Sequence, residues 1–303
     1  MDLLVSGTVA LDNVKTPSGM KRLMLGGSAS HFCMSASLLT KVSLSGIIGR
    51  DFPPQHLNLL KSKKVDISSL IRSEGKTFCW SGEYKPGDLN SAITLATELG
   101  VLQDFKPCLV SAHRRLPYVF LANDDPGIQA EVLRQMIHPQ FVGMDSMNLW
   151  ITHKKKELLK LIKKVDLFVA NDGEARMLTG ESNLIKAAKC LRRLGPPLIV
   201  VKKGEHGVLF YSDKYFFALP AFPIEKVVDP TGAGDTFAGG LMGFLAQQGR
   251  INEKVLRQAV CYATVLASFN VEGFGVMRTA TLTLSDVKHR LKKLLQFISP
   301  SKD

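Results

Sequence analysis

The sequence predicts an α/β fold, with a mostly parallel central sheet flanked by helices and a small β lid beside it. Three observations carry this reading. Short runs rich in β-branched residues alternate with amphipathic helical stretches. Two segments interrupt that alternation with strand-like residues and turn signals. A glycine-rich turn near residue 232 opens a long apolar helix. The strand-like runs are LLVSGT (3–8), VSLSGIIG (42–49), YVFLAN (118–123), FVGMD (141–145), DLFVA (166–170) and LIVVK (198–202). Helical patterns over 28–40, 53–62, 127–138, 153–164 and 182–194 separate most of them, which is the order of a parallel sheet with right-handed crossovers.

The interruptions are NVKTPSGMKRLML (13–25) and GKTFCWSGEYKPGDLNSAITLATE (75–98), the second with a KPGD turn that marks a hairpin. Together they are expected to form a discontinuous lid on a single domain covering 1–303, either moving over a site or covering a sheet edge. After residue 198 the pattern becomes strand, glycine turn and a hairpin around SDK (212–214), then helices near 234–248, 253–269 and 285–297. The closing SPSKD (299–303) is expected to fray.

Composition narrows the function classes. The 303 residues are 45% hydrophobic and 22% charged, the balance of a globular protein with a sizeable core. No apolar run reaches the roughly 18 residues that span a membrane. The N-terminal stretch lacks the basic flank of a signal peptide, so a cytoplasmic location without membrane association is expected. The five cysteines (33, 79, 108, 190, 261) form no C-x-x-C pair and no disulfide framework. The seven histidines contain no H-E-x-x-H. A net charge of +12 raises nucleic acid as a partner. Its densest stretch, THKKKELLKLIKKVD (152–166), instead sets Leu158, Leu159, Ile162 and Val165 at helical spacing with lysines around the rest of the wheel. That is a solvated amphipathic helix, and no nucleic-acid motif accompanies it.

The stretch DPTGAGDTFAGG (229–240) carries the chemistry. The first N–H groups of a helix lack internal acceptors, and the helix dipole makes that end positive. Gly232, Ala233 and Gly234 therefore suit a backbone anion cradle. Asp235 beside a bound anion is unfavourable unless its charge is used, and taking the proton of an attacking hydroxyl is such a use. The alternative is a plain N-cap, with the glycines serving helix packing. Gly75-Lys76-Thr77 is no phosphate loop, because the leading glycine is missing, and no dinucleotide fingerprint follows the first strand.

The 229–240 segment resembles the C-terminal signature of the ribokinase-like (PfkB) carbohydrate kinases, and further segments agree in order across nearly the whole chain. Gly26-Gly27 opening a helix, GIIGRDFP (46–53), NDGEA (171–175), VVKKGEHGV (200–208) and ASFNVEGFG (267–275) each resemble a family segment. The resemblance implies a three-layer ribokinase-like fold with ATP and Mg²⁺ as cofactors. It implies Asp235 as general base and the backbone of 232–234 as anion hole, with Thr231 assisting. Asn171 and Glu174 match the pair that organises Mg²⁺ through its waters; the lesser alternative for Glu174 is a first-turn acid on a helix beginning near Asp172. Lys202, Gly204 and Gly207 fall where relatives pass the phosphates and ribose, though Lys202 could also end a strand in solvent. Ala267, Asn270 and Gly275 fall on the adenine side. Some relatives bind a monovalent cation such as K⁺ on backbone oxygens near Asp229.

For the acceptor, Asp12 matches the family's sugar-binding aspartate, and a carboxylate accepts two hydroxyl hydrogen bonds. Gly26 and Gly27 would let a sugar lie against backbone. Where the pattern G-G-x-x-x-N expects asparagine the chain has His31, and two readings are open there, a sugar contact or a satisfied structural histidine. Asn148 is a further candidate. Trp80 on the lid either stacks on a sugar or base or fills the underside of the flap. The expected reaction moves the γ-phosphoryl group of MgATP to a hydroxymethyl group of a sugar or sugar-containing molecule. A nucleoside kinase of the same fold is the alternative, and a catalytically inactive binding protein is a rival from another class. Members often dimerise through lid strands, so a homodimer through the lid is expected.

Overall fold

Alternation along single strands sets the architecture. In β1 (Leu3–Ser6), Leu3 and Val5 enter one buried layer while Leu4 enters the other. A strand buried on both faces belongs inside a sheet covered on both sides. The computed structural model describes residues 2–299. After β1 come lid strands β2 (Ala10–Thr16) and β3 (Gly19–Gly26), then α1 (Ser28–Ala36), β4 (Val42–Ile48), α2 (Pro54–Ser62) and β5 (Asp66–Arg72). The lid resumes with β6 (Cys79–Lys85) and β7 (Asp88–Glu98). The main unit continues through β8 (Tyr118–Leu121), α3 (Pro126–Gln135), β9 (Phe141–Asp145), α4 (Asn148–His153), α5 (Lys155–Ile162), β10 (Leu167–Asn171), α6 (Asp172–Thr179), α7 (Leu184–Arg193) and β11 (Leu198–Lys202). The hairpin β12 (Val208–Tyr211) and β13 (Phe216–Leu219) follows, then α8 (Ala233–Gln248), α9 (Glu253–Asn270), α10 (Met277–Ala280) and α11 (Leu284–Ile298).

The large sheet runs β13-β12-β11-β10-β9-β8-β1-β4-β5, and the lid sheet runs β3-β2-β6-β7. Pairs from β11 through β5 are all parallel, and only the β11–β12 and β12–β13 pairs are antiparallel. One core holds Phe32 of α1, Leu241 of α8, Val260 of α9 and Leu294 of α11. The other holds Val132 of α3, Leu158 of α5, Ala175 of α6 and Leu191 of α7. This is the three-layer arrangement with a lid that the sequence implies.

Three details differ from the sequence reading. β5 (DISSLIR) reads as polar because it is an edge strand with only Ser69 fully buried. The helix expected over 153–164 is two helices, broken where Lys154 leaves helical geometry at φ −130°. The lid begins at Ala10 rather than residue 13, so Asp12 lies on a lid strand. Of the tail 299–303, only Ser299 lies within the described residues. No helix among the described residues is long and apolar enough to cross a membrane.

Candidate active site

Parallel strands deliver their carboxyl ends to one edge. The order in which strands are added to the sheet reverses between β1 and β8, and ligands of open α/β sheets bind outside the carboxyl ends at such a switch point. Asp145 ends β9, Asn171 ends β10 and Lys202 ends β11, with Asn171 and Lys202 paired in register.

The opening of α8 faces this edge. Gly232 is its N-cap, in the left-handed region at φ 72°, and a methyl there would overlap the His31 ring. Ala233 differs from expectation: its N–H is engaged by the Pro230 carbonyl at 3.2 Å. The free donors lie elsewhere. Asn270 Nδ2 donates to the Thr231 carbonyl at 2.7 Å, the acceptor that a regular helix would offer to the Asp235 N–H. The N–H groups of Gly232, Gly234 and Asp235 thus have no acceptor among the described residues. Free donors at the positive end of a 16-residue helix are suited to an anion.

Asp235 is the third residue of α8 and not its cap. No hydrogen bond or ion pair among the described residues engages its carboxylate. Lys202 Nζ would lie 2.5 Å from a methyl on Gly234, so the ammonium rests against the helix opening. A cation at a positive helix end is repelled unless an anion joins it.

Sequence reasoning missed Asp145. This carboxylate is 3% exposed with Oδ1 unpartnered. Burial and the nearby Asp235 and Glu174 charges push its pKa well above the carboxylate range against the pull of Lys202. The signal was available, since an acid ended the strand-like run FVGMD.

Asn171 and Glu174 form a capping box on α6. The Glu174 N–H donates to Asn171 Oδ1 and the Asn171 N–H donates to Glu174 Oε2, both at 2.7 Å. The spacing N-x-x-E therefore has a complete local explanation. Burial raises the Glu174 pKa, with Lys202 opposing.

On the acceptor side, Asp12 is 4% exposed and faces Gly26, where any methyl would overlap its carboxylate. Burial raises its pKa to about 7, despite the Gly27 N–H it accepts and with Asp229 and Asp235 adding to the rise. Trp80 sits beside Asp12 in register on the neighbouring lid strand. Its indole packs over Gly82 and donates from Nε1 to Thr94 Oγ1 at 3.2 Å. His31 follows the Gly26-Gly27 turn on α1 and is 1% exposed. Asn148 is exposed, and its Oδ1 accepts the Leu149 N–H at the start of α4.

The expected adenine-side residues divide. Asn270 is fully buried and bonded to His31, Thr236 and Thr231, so its side chain serves the interior. Gly275 is also buried, its N–H donating to Asp229 Oδ2 at 2.9 Å. Only Ala267 of the three is partly exposed. Asp229 is fully buried and its other oxygen accepts the Thr231 N–H at 2.9 Å. Gly207 closes the turn after β11, and a methyl on Gly204 would overlap Asn90 at the lid tip. Asn90 Nδ2 donates to Glu205 Oε2 at 2.6 Å.

The lid grips the loop that leads into α8 as well. Thr16 Oγ1 donates to the Val228 carbonyl at 2.7 Å and Thr231 Oγ1 donates to Tyr84 Oη at 3.3 Å. Gly49 and Asp51 of the GIIGRDFP segment both bond Thr77 at the lid's root, which gives that motif a structural task.

Comparison with known proteins matches this arrangement. The pfkB family carbohydrate kinase model matches residues 5–282. A cytidine kinase of Thermococcus kodakarensis is 33% identical over 263 residues, covering 85% of this chain and 92% of that protein. A nucleoside kinase of Methanothermobacter thermautotrophicus is 26% identical, covering 95% of this chain and 94% of the relative. The crystal structure of the Methanocaldococcus jannaschii nucleoside kinase superposes with a TM-score of 0.76 at 21% identity, over 96% of this chain and 98% of that one. The chain belongs to the pfkB family of carbohydrate kinases, and it is an ATP-dependent kinase with the ribokinase-like fold.

Proposed function

We propose that this kinase phosphorylates the hydroxymethyl group of a nucleoside, with Asp235 as general base. The nucleoside reading, the alternative at the level of sequence, is favoured over a free sugar because the full-length relatives just described are cytidine and nucleoside kinases. The observation that carries the chemistry is the free Asp235 carboxylate among the unpaired N–H groups that open α8. The base takes the acceptor's proton, and the free N–H groups with Lys202 balance the charge of the transferring phosphoryl group.

The free N–H groups and the unpaired Lys202 ammonium fit a triphosphate. Asn171, Glu174 and Asp145 supply oxygens suited to a hydrated Mg²⁺, which when bound neutralises phosphate charge. Asp12 and the Gly26-Gly27 backbone hold the sugar, and Trp80 closes over it from the lid. A K⁺ effect near Asp229 and a homodimer through the lid belong to the same reading. The dimer is supported by exposed Met20 and Leu23 on β3 and Ile93 and Leu95 on β7. Sedimentation at several concentrations tests it.

The decisive experiment is ATP turnover with cytidine, other nucleosides, ribose and fructose, using Asp235→Asn as control. Nucleosides should give the highest kcat/KM. A free sugar well ahead of every nucleoside would overturn the acceptor assignment, and a fully active Asp235→Asn would overturn the base.

A further inference from the structure

One buried hydrogen-bond chain fixes where the proton on His31 sits. The Thr231 carbonyl can only accept, so the group facing it at 2.7 Å is the Nδ2 amide of Asn270. The same carboxamide turned over would set two oxygens against each other. Asn270 Oδ1 therefore faces Thr236 Oγ1 at 3.0 Å and His31 Nδ1 at 3.1 Å, and both neighbours must donate to it. With its hydrogen on Nδ1, the neutral imidazole presents a bare lone pair at Nε2. That atom is buried without a partner, on a side chain 1% exposed. Its ring packs against the Gly232 cap of α8, and its backbone N–H donates to the Gly27 carbonyl at 3.2 Å.

We infer that His31 reads the acceptor through Nε2 alone, as a fixed hydrogen-bond acceptor that requires a hydroxyl donor on the sugar of the nucleoside. This rests on the proposed nucleoside reading and adds its specificity. The family pattern's asparagine at this position offers both a donor and an acceptor. Histidine locked by Asn270 offers only the acceptor, and the Asp12 carboxylate proposed to hold the sugar is an acceptor too. Two acceptors select an acceptor molecule with two hydroxyl donors, so a ribonucleoside is favoured over its deoxy counterparts. A deoxy sugar leaves the buried lone pair unmet, as it is in the free protein. A metal is a poor rival for that lone pair, because no group of three His, Cys, Asp or Glu residues suited to an ion occurs among the described residues.

The test has two arms. In the first, ¹⁵N NMR of histidine-labelled enzyme should show His31 protonated at Nδ1 only, and saturating cytidine without ATP should shift the Nε2 resonance. A proton on Nε2 in the free enzyme, or no shift at saturation, overturns the inference. In the second, kcat/KM is compared for cytidine, 2′-deoxycytidine and 3′-deoxycytidine. One deoxy compound should lose about tenfold or more on the native enzyme. His31→Asn should narrow that ratio about tenfold through the nucleoside KM, with the ATP KM unmoved. Asn270→Ala, which keeps the imidazole but frees its tautomer, should narrow it partly. An equal loss for all three nucleosides in His31→Asn marks a packing role and overturns the inference. If the native enzyme turns over no nucleoside, the proposed function fails, while the NMR arm repeated with the sugar it does accept still decides the role of His31.

Discussion

His113 and His31 are buried to the same degree, 2% and 1% exposed, yet their chemical situations are opposite. His113 sits at the edge of the large sheet, where its Nδ1 meets Ser69 Oγ at 2.7 Å and its Nε2 meets Asp66 Oδ2 at 3.0 Å. Ser69 Oγ also accepts the Val110 N–H at 3.1 Å. Serine, histidine and aspartate in a row suggest a nucleophile, but Ser69 is 2% exposed and its oxygen is already engaged. The trio is a clamp that ties the connection before β8 to the edge strand β5. At the active site the pairing stops. His31 Nε2 and Asp145 Oδ1 are buried without partners, and the Asp235 carboxylate has none either. An unmet buried polar atom costs about 1–3 kcal/mol. A fold tolerates several of them together where a ligand will complete the bonds.

Substitutions can sharpen or break that contrast. The largest effect is expected at Asp235→Asn, which should lower kcat by about 10³–10⁴-fold while leaving the melting temperature nearly unchanged. A large loss of stability would move Asp235 to the structural side.

Asp12 gives the next effect, through pH. Its pKa is about 7 in the folded protein against an ordinary value of 3.8. Between those values the folded state holds a proton that the unfolded state releases, so stability falls as pH rises through the window, by up to about 4 kcal/mol. Asp12→Asn should flatten this slope and stabilise the protein at pH 8, while raising the acceptor KM. Urea unfolding at pH 4.5 and pH 8 measures it, and an unchanged slope would refute the assignment.

His113→Ala should do the reverse, losing about 2–3 kcal/mol of stability with kcat and both KM values intact. A kinetic defect in that variant would break the contrast. Glu174→Gln is the mildest, since the amide carbonyl still accepts the Asn171 N–H and preserves the cap. Only the charge is lost, so the apparent Mg²⁺ affinity should fall about tenfold without a change in melting temperature. A Mg²⁺ dependence identical to the native enzyme would leave Glu174 as a cap alone.

Much of this was legible in the sequence, because local patterns encode local structure. The alternation of apolar runs and helical stretches located six parallel strands, and the small residues of 229–240 announced the opening of α8. Asp12 faces Gly26, and Lys202 rests against Gly234, positions that strand-like runs and glycine turns signalled locally. What escaped depended on distance along the chain. β5 has no apolar alternation, since its neighbours cover only part of one face. The partners of His31 lie 239 residues away on α9, and the engagement of Thr231 by Asn270 spans 39. No local pattern distinguishes an asparagine that faces adenine from one that organises the interior.

The position of Asn270 has a consequence for inheritance. One carboxamide dictates which edge of the residue-31 ring is basic and also releases the Asp235 N–H by occupying its usual acceptor. On the proposed reading, acceptor choice and transfer rate are thus wired to a common component. Among homologues, positions 31 and 270 should change hands together, and a transplant of either one into another kinase should fail until its companion follows.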